Sequence, residues 1–260
     1  MISTVTHTLP VMESFYTLQG EGFHQGRAAY FIRLGGCDVG CTWCDVKESW
    51  DASAHPQLRI EEIVGKAMRA CPAKGGDTGY EIRDAGYGMR DAGLEMQDTE
   101  CGIEDENQQP ATSNRQPTTS NQQPVTSNRL AVITGGEPLL HNLDELTRQL
   151  HAAGFETNIE TSGSSPLSGE WDWICLSPKK FKAPLPELVP LANELKVVVF
   201  NKHDFEWAEK YAVQVSSSCK LYLQPEWDKA SIVTPLIIEY IKQNPKWELS
   251  LQIHKYINVP

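Results

Sequence analysis

The sequence predicts an α/β protein built as a partial, six-stranded βα barrel that is interrupted by a long insert. Strand-like and helix-like runs alternate along most of the chain, as they do in parallel βα units. Polar residues, glycine or proline follow most of the strands, where a βα barrel carries its site. Residues 71–129 lack the apolar pattern of either element. We therefore expect one barrel domain made from residues 1–70 and 130–260.

The elements of the barrel follow in order along the chain. The six predicted strands are 28–34, 130–134, 156–161, 173–176, 195–200 and 220–224. After the first strand, helical spacing is shown by Ile60, Ile63, Val64, Ala67 and Met68. After the second, Leu143, Leu146 and Leu150 form one helix face, which Asn142 can cap and Gly154 ends. A last strand is predicted at 249–253.

The insert, residues 71–129, has the composition of a disordered surface loop. It carries R-D-A-G twice, at Arg83 and Arg90, and then a seven-residue repeat that starts at Asn107 and runs three times. Each repeat contains a proline and almost nothing apolar, so the repeat is not a coiled-coil heptad. Such a segment buries too little surface to offset its ordering entropy. We expect disorder, with a docking tail as the alternative.

The net charge of the chain and its lack of a signal or membrane segment indicate which binding partners and which compartment to expect. The formal net charge is −11, and the insert holds ten acidic and five basic residues, which leaves the barrel at −6. An acidic barrel argues against a strong binder of nucleic-acid phosphates. The chain shows no secretory signal and no apolar run of membrane length. We expect a soluble, cytoplasmic protein that binds neither nucleic acid nor membrane.

Three closely spaced cysteines carry most of the functional information. Cys37, Cys41 and Cys44 can hold three irons of a four-iron four-sulfur (4Fe-4S) cluster, which leaves one iron open to a ligand. The alternative is structural zinc, which needs four closed ligands, usually as two pairs. The other cysteines stand singly, at Cys71, Cys101, Cys175 and Cys219. Zinc is therefore disfavoured.

The spacing C-x3-C-x2-C resembles the signature of the radical S-adenosylmethionine (SAM) superfamily. That resemblance implies that the open iron binds the methionine group of SAM and that the cluster reduces SAM, which releases a 5′-deoxyadenosyl radical. The glycines of Thr-Gly-Gly-Glu-Pro, from Thr134 to Pro138, let the backbone approach a ligand. In the superfamily this segment contacts the amino group of SAM. Ser177 and Lys179 suit recognition of ribose and carboxylate at the end of a strand.

Longer segments narrow the resemblance to the 7-carboxy-7-deazaguanine synthase family. They are Phe-Tyr-Thr-Leu-Gln-Gly-Glu-Gly from Phe15 to Gly22, the arginines Arg27 and Arg33, and Leu-Gln-Ile-His-Lys-Tyr from Leu251 to Tyr256. Outside the insert, the match covers the whole chain. It implies a lyase of queuosine biosynthesis that converts 6-carboxy-5,6,7,8-tetrahydropterin to 7-carboxy-7-deazaguanine. The implied steps are hydrogen abstraction from C6, ring contraction, loss of ammonia and regeneration of SAM.

The resemblance also assigns roles residue by residue. SAM would be surrounded by Trp43, Cys44, Asp45, Gly136, Glu137, Ser177, Pro178, Lys179, Gln224, Pro225, Glu226 and Trp227. The pterin would meet Leu18, Gln19, Gly20, Glu21, Arg33, Thr134, His254 and the carboxylate of Pro260. Family members often carry a magnesium-binding threonine where this chain has Val46, which has no side-chain oxygen. Magnesium is thus in doubt as a cofactor, and Lys47 could replace its charge.

The resemblance implies a homodimer and a flavodoxin- or ferredoxin-type reductant as partners. Two other functions stay in view. A radical SAM activase, which makes a glycyl radical on a partner protein, shares the cysteine trio, but the segment from Gln19 to Gly22 suits a small polar substrate. A non-enzymatic iron–sulfur carrier is disfavoured because the fourth cysteine is missing.

Overall fold

A single nine-stranded sheet organises the part of the chain that the computed structural model describes, residues 7–71 and 129–260. Its strands are β1 Thr8–Leu18, β2 Ala28–Leu34, β3 Gln57–Arg59, β4 Arg129–Gly135, β5 Phe155–Thr161, β6 Trp173–Leu176, β7 Glu194–Val199, β8 Lys220–Pro225 and β9 Glu248–Leu249. Their order in the sheet is β3-β1-β2-β4-β5-β6-β7-β8-β9. From β2 to β9 all neighbours are parallel, whereas β1 runs antiparallel to β2 and to β3. A disordered insert was predicted over residues 71–129, and all of these except Cys71 and Arg129 lie outside the described residues.

All six predicted strands are present as parallel neighbours, each within one residue of its predicted bounds, and β1, β3 and β9 extend the sheet. The helices are α1 Ile60–Ala70, α2 Asp144–Ala152, α3 Asp204–Ala212, α4 Ala230–Gln243 and α5 Ile253–Ile257. Among the described residues, no helix is both long and apolar enough to cross a membrane.

The period of two along each strand divides the side chains between two environments. On β7, Leu195, Val197 and Val199 belong to the main hydrophobic core, in which α1 and α2 also pack. The alternate β7 residues Lys196 and Val198 line a cavity instead. One face of the sheet therefore packs against the helices, and the other carries the side chains that form the site.

The predicted helices begin and end near the expected residues. Asn142 Oδ1 accepts a hydrogen bond of 3.0 Å from the Asp144 backbone N–H, where α2 begins. Gly154 follows the end of α2 with a φ of 79°, which favours glycine. On α1, four of the five predicted residues are buried, but Met68 is 49% exposed. Met68 is therefore at the edge of the apolar face.

The prediction of a strand over 249–253 is wrong beyond its first residue. The strand β9 covers only Glu248–Leu249, and Ile253 is the first residue of α5. The chain leaves the sheet edge because Ser250 Oγ donates to Gln224 Oε1 and the Ile253 N–H donates to the Gly20 carbonyl, at 2.8 and 3.0 Å. A short apolar run cannot by itself distinguish a strand from one helical turn.

A contact joins Cys71 and Arg129, the described residues on either side of 72–128. Arg129 Nη1 lies 3.4 Å from the Cys71 carbonyl oxygen, and Arg129 Nη2 lies 2.7 Å from that of Ala153. The guanidinium of Arg129 also lies over the Phe155 ring, 4.9 Å from its centroid. The residues on either side of 72–128 are thus held next to each other.

Candidate active site

A cavity of about 400 Å³ collects nearly all the residues that the sequence singled out. Those that line it are Leu18, Gln19, Gly20, Glu21, Arg33, Cys37, Cys41, Trp43, Cys44, Asp45, Val46, Thr134, Gly136, Glu137, Ser177, Lys179, Gln224, Pro225, Glu226, Trp227, His254 and Pro260. Pro178 does not line it, and its carbonyl oxygen accepts a hydrogen bond from Trp207 Nε1. The volume is typical of sites for small molecules and cofactors.

The cysteine loop and the Thr-Gly-Gly-Glu-Pro turn lie against each other because β2 and β4 are paired in parallel, with Leu34 opposite Gly135. The Gly136 N–H donates to the Leu34 carbonyl at 2.9 Å, and the Glu137 N–H donates to the Gly36 carbonyl at 2.8 Å. A Cβ atom at Gly136 would lie 2.1 Å from the Gly36 oxygen and 3.0 Å from the Cys37 Cβ. Only glycine permits this approach of the two motifs.

The three predicted cysteines are free thiols of intermediate exposure in the wall of the cavity. Burial raises the pKa of Cys37 and of Cys41. The charge of Lys179 opposes the rise at Cys41, while the neighbouring thiols add to it. Within residues 7–71 and 129–260, no group of three or more His, Cys, Asp or Glu side chains is gathered around a single point that could hold a metal ion.

Aromatic and basic side chains form the wall beside the cysteines. Trp43 stacks on Phe200 with ring centroids 5.6 Å apart and meets Phe181 at 4.9 Å. Lys179 Nζ donates to Ser177 Oγ at 2.7 Å, so the two predicted residues of the 177–179 segment lie side by side. This wall offers an apolar ring surface next to a hydroxyl and an ammonium group.

Two carboxylates that were predicted to contact SAM already accept hydrogen bonds from other groups of the protein. The Glu137 carboxylate is buried and accepts hydrogen bonds from Thr161 Oγ1, from both N–H and Oγ of Ser162, and from the Leu139 N–H. The Glu226 carboxylate accepts from the backbone N–H groups of Asp228 and Lys229, at 3.2 and 3.0 Å. Both carboxylates therefore fix the turns that follow their strands.

The opposite wall is built from β1, β2 and the C-terminal helix. Arg33 lies 3.2 Å from Glu13 Oε1, and its guanidinium carbon is 5.5 Å from the centroid of the Phe15 ring. A Cβ atom at Gly20 would lie 2.2 Å from Nδ1 of His254, so the Gly20 backbone packs on the imidazole. Burial lowers the pKa of His254, against the opposing charge of Glu21.

The helix α5 joins the two ends of the sheet across the cavity. Lys255 Nζ is 2.9 Å from Asp45 Oδ2 in the cysteine loop and 4.9 Å from the ring centroid of Trp227, which follows β8. Tyr256 meets Trp227 edge-on at 5.3 Å. The C-terminal segment thus contacts the loops that follow the first, second and eighth strands.

Sequence reasoning missed Glu160, Lys196 and Gln252, which form a polar network in the cavity. Lys196 Nζ lies 2.6 Å from Glu21 Oε2 and 3.3 Å from Glu160 Oε2. Burial alone would raise the pKa of Glu21, but the charge and hydrogen bond of Lys196 outweigh it and lower that pKa to about 2. Lysine among the apolar residues of a strand was the available signal, since an ionisable side chain is rarely buried without a partner.

Comparisons with known proteins agree with one another. The chain is 42% identical over 252 residues to a 7-carboxy-7-deazaguanine synthase of Flavobacterium psychrophilum, with 97% of this chain and 93% of that relative covered. Enzymes of the same name from Synechocystis and Escherichia coli are 38% and 31% identical, with at least 95% of each relative and 96% of this chain covered. The activase alternative gains no support from these relatives.

A solved structure also resembles this chain. The crystal structure of QueE from Escherichia coli matches with a TM-score of 0.64 and 26% identity, over 94% of this chain and 93% of that one. It confirms the mixed α/β fold with a large sheet. No family model matches the chain.

Proposed function

The chain belongs to the 7-carboxy-7-deazaguanine synthase family, and on that premise we propose that it converts 6-carboxy-5,6,7,8-tetrahydropterin to 7-carboxy-7-deazaguanine with loss of ammonia. One observation connects the proposed reaction to particular residues. The cysteine loop, the turn at Gly136 and the segment from Gln19 to Glu21 converge on a single cavity. That cavity is the place where a cluster, SAM and a pterin would meet.

The thiols of Cys37, Cys41 and Cys44 suit a 4Fe-4S cluster. Each thiolate would hold a different iron, so the sulfur atoms need not converge on one point. Burial disfavours the free thiolates of Cys37 and Cys41, and bound metal reverses that preference by supplying positive charge. When bound, the cluster and SAM supply the radical that removes a hydrogen atom from the substrate.

The residues beside the cysteines would bind SAM. The Gly136 backbone can come close to the methionine group because a side chain there has no room. Ser177 and Lys179 place a hydroxyl and an ammonium together, which suits ribose and carboxylate oxygens. Because the Glu137 and Glu226 carboxylates are occupied within the protein, we assign them the task of fixing the two turns.

The opposite wall would bind the pterin. Arg33 can exchange its contact with the half-exposed Glu13 for a fork of hydrogen bonds to the substrate carboxylate. Gln19 and Glu21 offer amide and carboxylate groups to the ring, and Thr134, His254 and Pro260 line the same space. Hydrogen bonds that span the cavity, from Gln19 to Glu160 and from Gln252 to Glu21, support a sheet curved into a partial barrel.

Magnesium would find no side-chain donor at position 46. Val46 lines the cavity without a side-chain oxygen, and its carbonyl oxygen accepts from both Oγ and N–H of Ser49, at 2.7 and 3.1 Å. Lys47 also lines the cavity and can supply positive charge in place of the ion. We therefore propose that substrate turnover depends weakly on magnesium.

Two partners complete the proposal. A homodimer is supported by the apolar side chains that α4 exposes, Ile232, Leu236 and Ile238, which are 64%, 45% and 40% exposed. A flavodoxin- or ferredoxin-type protein would supply the electron that the cluster needs. A reducing, cytoplasmic setting suits the free thiols of the described residues.

Anaerobic turnover tests the proposal directly. The reconstituted protein, with SAM, a reductant and 6-carboxy-5,6,7,8-tetrahydropterin, should release ammonia and a product with the mass of 7-carboxy-7-deazaguanine. Alanine at Cys37, Cys41 or Cys44 should abolish the cluster and the product. Alanine at Cys71, Cys175 or Cys219, which are buried and do not line the cavity, should leave about four irons per chain. Cleavage of SAM without consumption of the pterin would refute the substrate.

A further inference from the structure

We propose that Lys196 is a positioning residue that holds Glu21 and Glu160 in place as acceptors for the N–H groups of a pterin ring and keeps Glu21 anionic. The inference rests on the proposed function, since a pterin is taken to be the ligand. Lys196 lies on β7, whose other residues are three valines, one leucine and Glu194, and its side chain is only 4% exposed. It lines the cavity, yet it is not among the family residues placed above.

The ammonium group of Lys196 bridges the two carboxylates. Its Nζ lies 2.6 Å from Glu21 Oε2 and 3.3 Å from Glu160 Oε2. Glu21 comes from the loop after β1 and Glu160 from β5, so one ammonium fixes two elements that are distant in sequence. A lysine ammonium has three donors, and two of them are used here.

Each carboxylate is held at its second oxygen by an amide. Glu21 Oε1 accepts from Gln252 Nε2 at 2.8 Å, and Glu160 Oε1 accepts from Gln19 Nε2 at 2.8 Å. A carboxylate has about four acceptor positions, so each retains acceptor capacity after these bonds. All four of these side chains line the cavity, and both carboxylates are therefore oriented before a ligand arrives.

The ionised state of these carboxylates matters for the ligand. The amino-pyrimidinone edge of a pterin presents N–H donors, which a carboxylate accepts in a charge-assisted pair and a protonated carboxyl accepts poorly. Burial by itself favours the protonated form, and the charge of Lys196 reverses this at Glu21. Without Lys196 the cavity would present a carboxyl that donates where the ring also donates.

The other titratable groups around Lys196 do not supply the positive charge that Glu21 and Glu160 need. Glu194 also faces it, but Glu194 accepts from Trp173 Nε1 and the Phe23 N–H, and burial raises its pKa. Cys175 faces Lys196 as well, and burial raises its pKa far above the usual value. His254 near Glu21 has a pKa lowered by burial and so supplies little positive charge. Lys196 is thus the dominant positive charge at this pair of carboxylates.

The test measures pterin binding as a function of pH in Lys196→Met and Lys196→Arg. Oxidised 6-carboxypterin serves as a fluorescent, non-reacting probe, and the exposed Lys242→Met is the matched control. In Lys196→Met burial is no longer opposed and raises the pKa of Glu21, so we expect the dissociation constant to rise at least roughly tenfold near pH 6 and to recover in part as the pH rises towards 8. Lys196→Arg should keep a flat pH profile at these carboxyls, and SAM binding should change little in both.

Infrared spectra supply a readout that needs no ligand. In a difference spectrum against the unaltered protein, a C=O stretching band of protonated carboxyl should grow in Lys196→Met as the pH falls through neutrality. If Lys196→Met does not fold, Lys196→Met combined with Glu160→Gln removes one unpaired charge and is measured in its place. That double variant should fold, bind the pterin weakly and show the same recovery at high pH.

Two results would overturn the inference. One is pterin binding in Lys196→Met that matches the unaltered protein, and the other is binding that is weaker by the same factor at every pH with no carboxyl band. Failure of the proposed function looks different. The unaltered protein would then bind SAM but not the pterin, while the infrared band in Lys196→Met would still show that Lys196 controls the carboxylates.

Discussion

Substitution of Gly136 by alanine should separate the two motifs that meet at the cavity. The new Cβ would lie 2.1 Å from the Gly36 carbonyl oxygen, against about 3.4 Å for an ordinary contact, so the backbones must move apart by more than 1 Å. The hydrogen bond from the Glu137 N–H to the same oxygen would be lost. Overpacking costs about 1–3 kcal/mol and a hydrogen bond about 1 kcal/mol, which gives a destabilisation of about 2–4 kcal/mol.

Urea unfolding of the metal-free protein measures this cost, and Gly65→Ala is the control. Gly65 lies within α1, where its Cβ would meet only the flexible end of the Arg69 side chain at 3.3 Å. Alanine there should be neutral or stabilise by up to about 1 kcal/mol, because alanine favours helix. Iron content after reconstitution should fall for Gly136→Ala alone. If the two variants have equal unfolding free energies, the contact between the two motifs carries no steric constraint.

Three further predictions concern other parts of the chain. Burial, followed by the charge of Arg27, lowers the pKa of His24 from 6.5 to about 4. Between these two values the unfolded chain binds a proton that the folded protein does not bind. The unfolding free energy should therefore decrease as the pH is lowered from 6.5 to about 4, by up to about 1.4 kcal/mol per pH unit. In urea titrations, His24→Gln should remove this part of the slope. Replacing residues 72–128 with a linker of about six residues should stabilise the fold by up to about 2 kcal/mol, since loop closure costs less for a short loop, and should leave turnover within a few-fold. Loss of folding would show that the segment is structural. Finally, Val46→Thr should increase the response of turnover to added magnesium, and a strong requirement that is equal in both proteins would show that this side chain is irrelevant.

The parallel strands could be predicted from sequence because their apolar runs are bounded by turn residues. The strand over 28–34 and the helix after it came directly from such patterns. The end of the chain could not be predicted this way. Residues 250–253 look like a continuing strand, but the hydrogen bond from Ile253 to Gly20 depends on a partner more than two hundred residues away. Local patterns carry no information about such pairings.

Part of the candidate site could be predicted from the sequence, and part of it could not. The family resemblance assigned site roles to residues at the ends of strands and in the loops that follow them, and all but Pro178 line the cavity. Lys196 and Glu160 lie within strands whose sequences are typical of a core. Their place in the cavity could be recognised only from the ion pairs that Lys196 forms with Glu21 and Glu160. The positions of side chains within a barrel depend on which strands face one another, and the sequence alone does not define that.

The contact between Arg129 and Cys71 has a consequence for the gene. Because these two residues are in contact, the distance between them does not set the number of residues that join them. The seven-residue repeat in that segment corresponds to a coding unit of 21 nucleotides. Slippage of the replication machinery by whole units would keep the reading frame and change only the number of residues between Cys71 and Arg129. We expect closely related strains to differ in repeat number while residues 28–71 and 129–260 keep the same length.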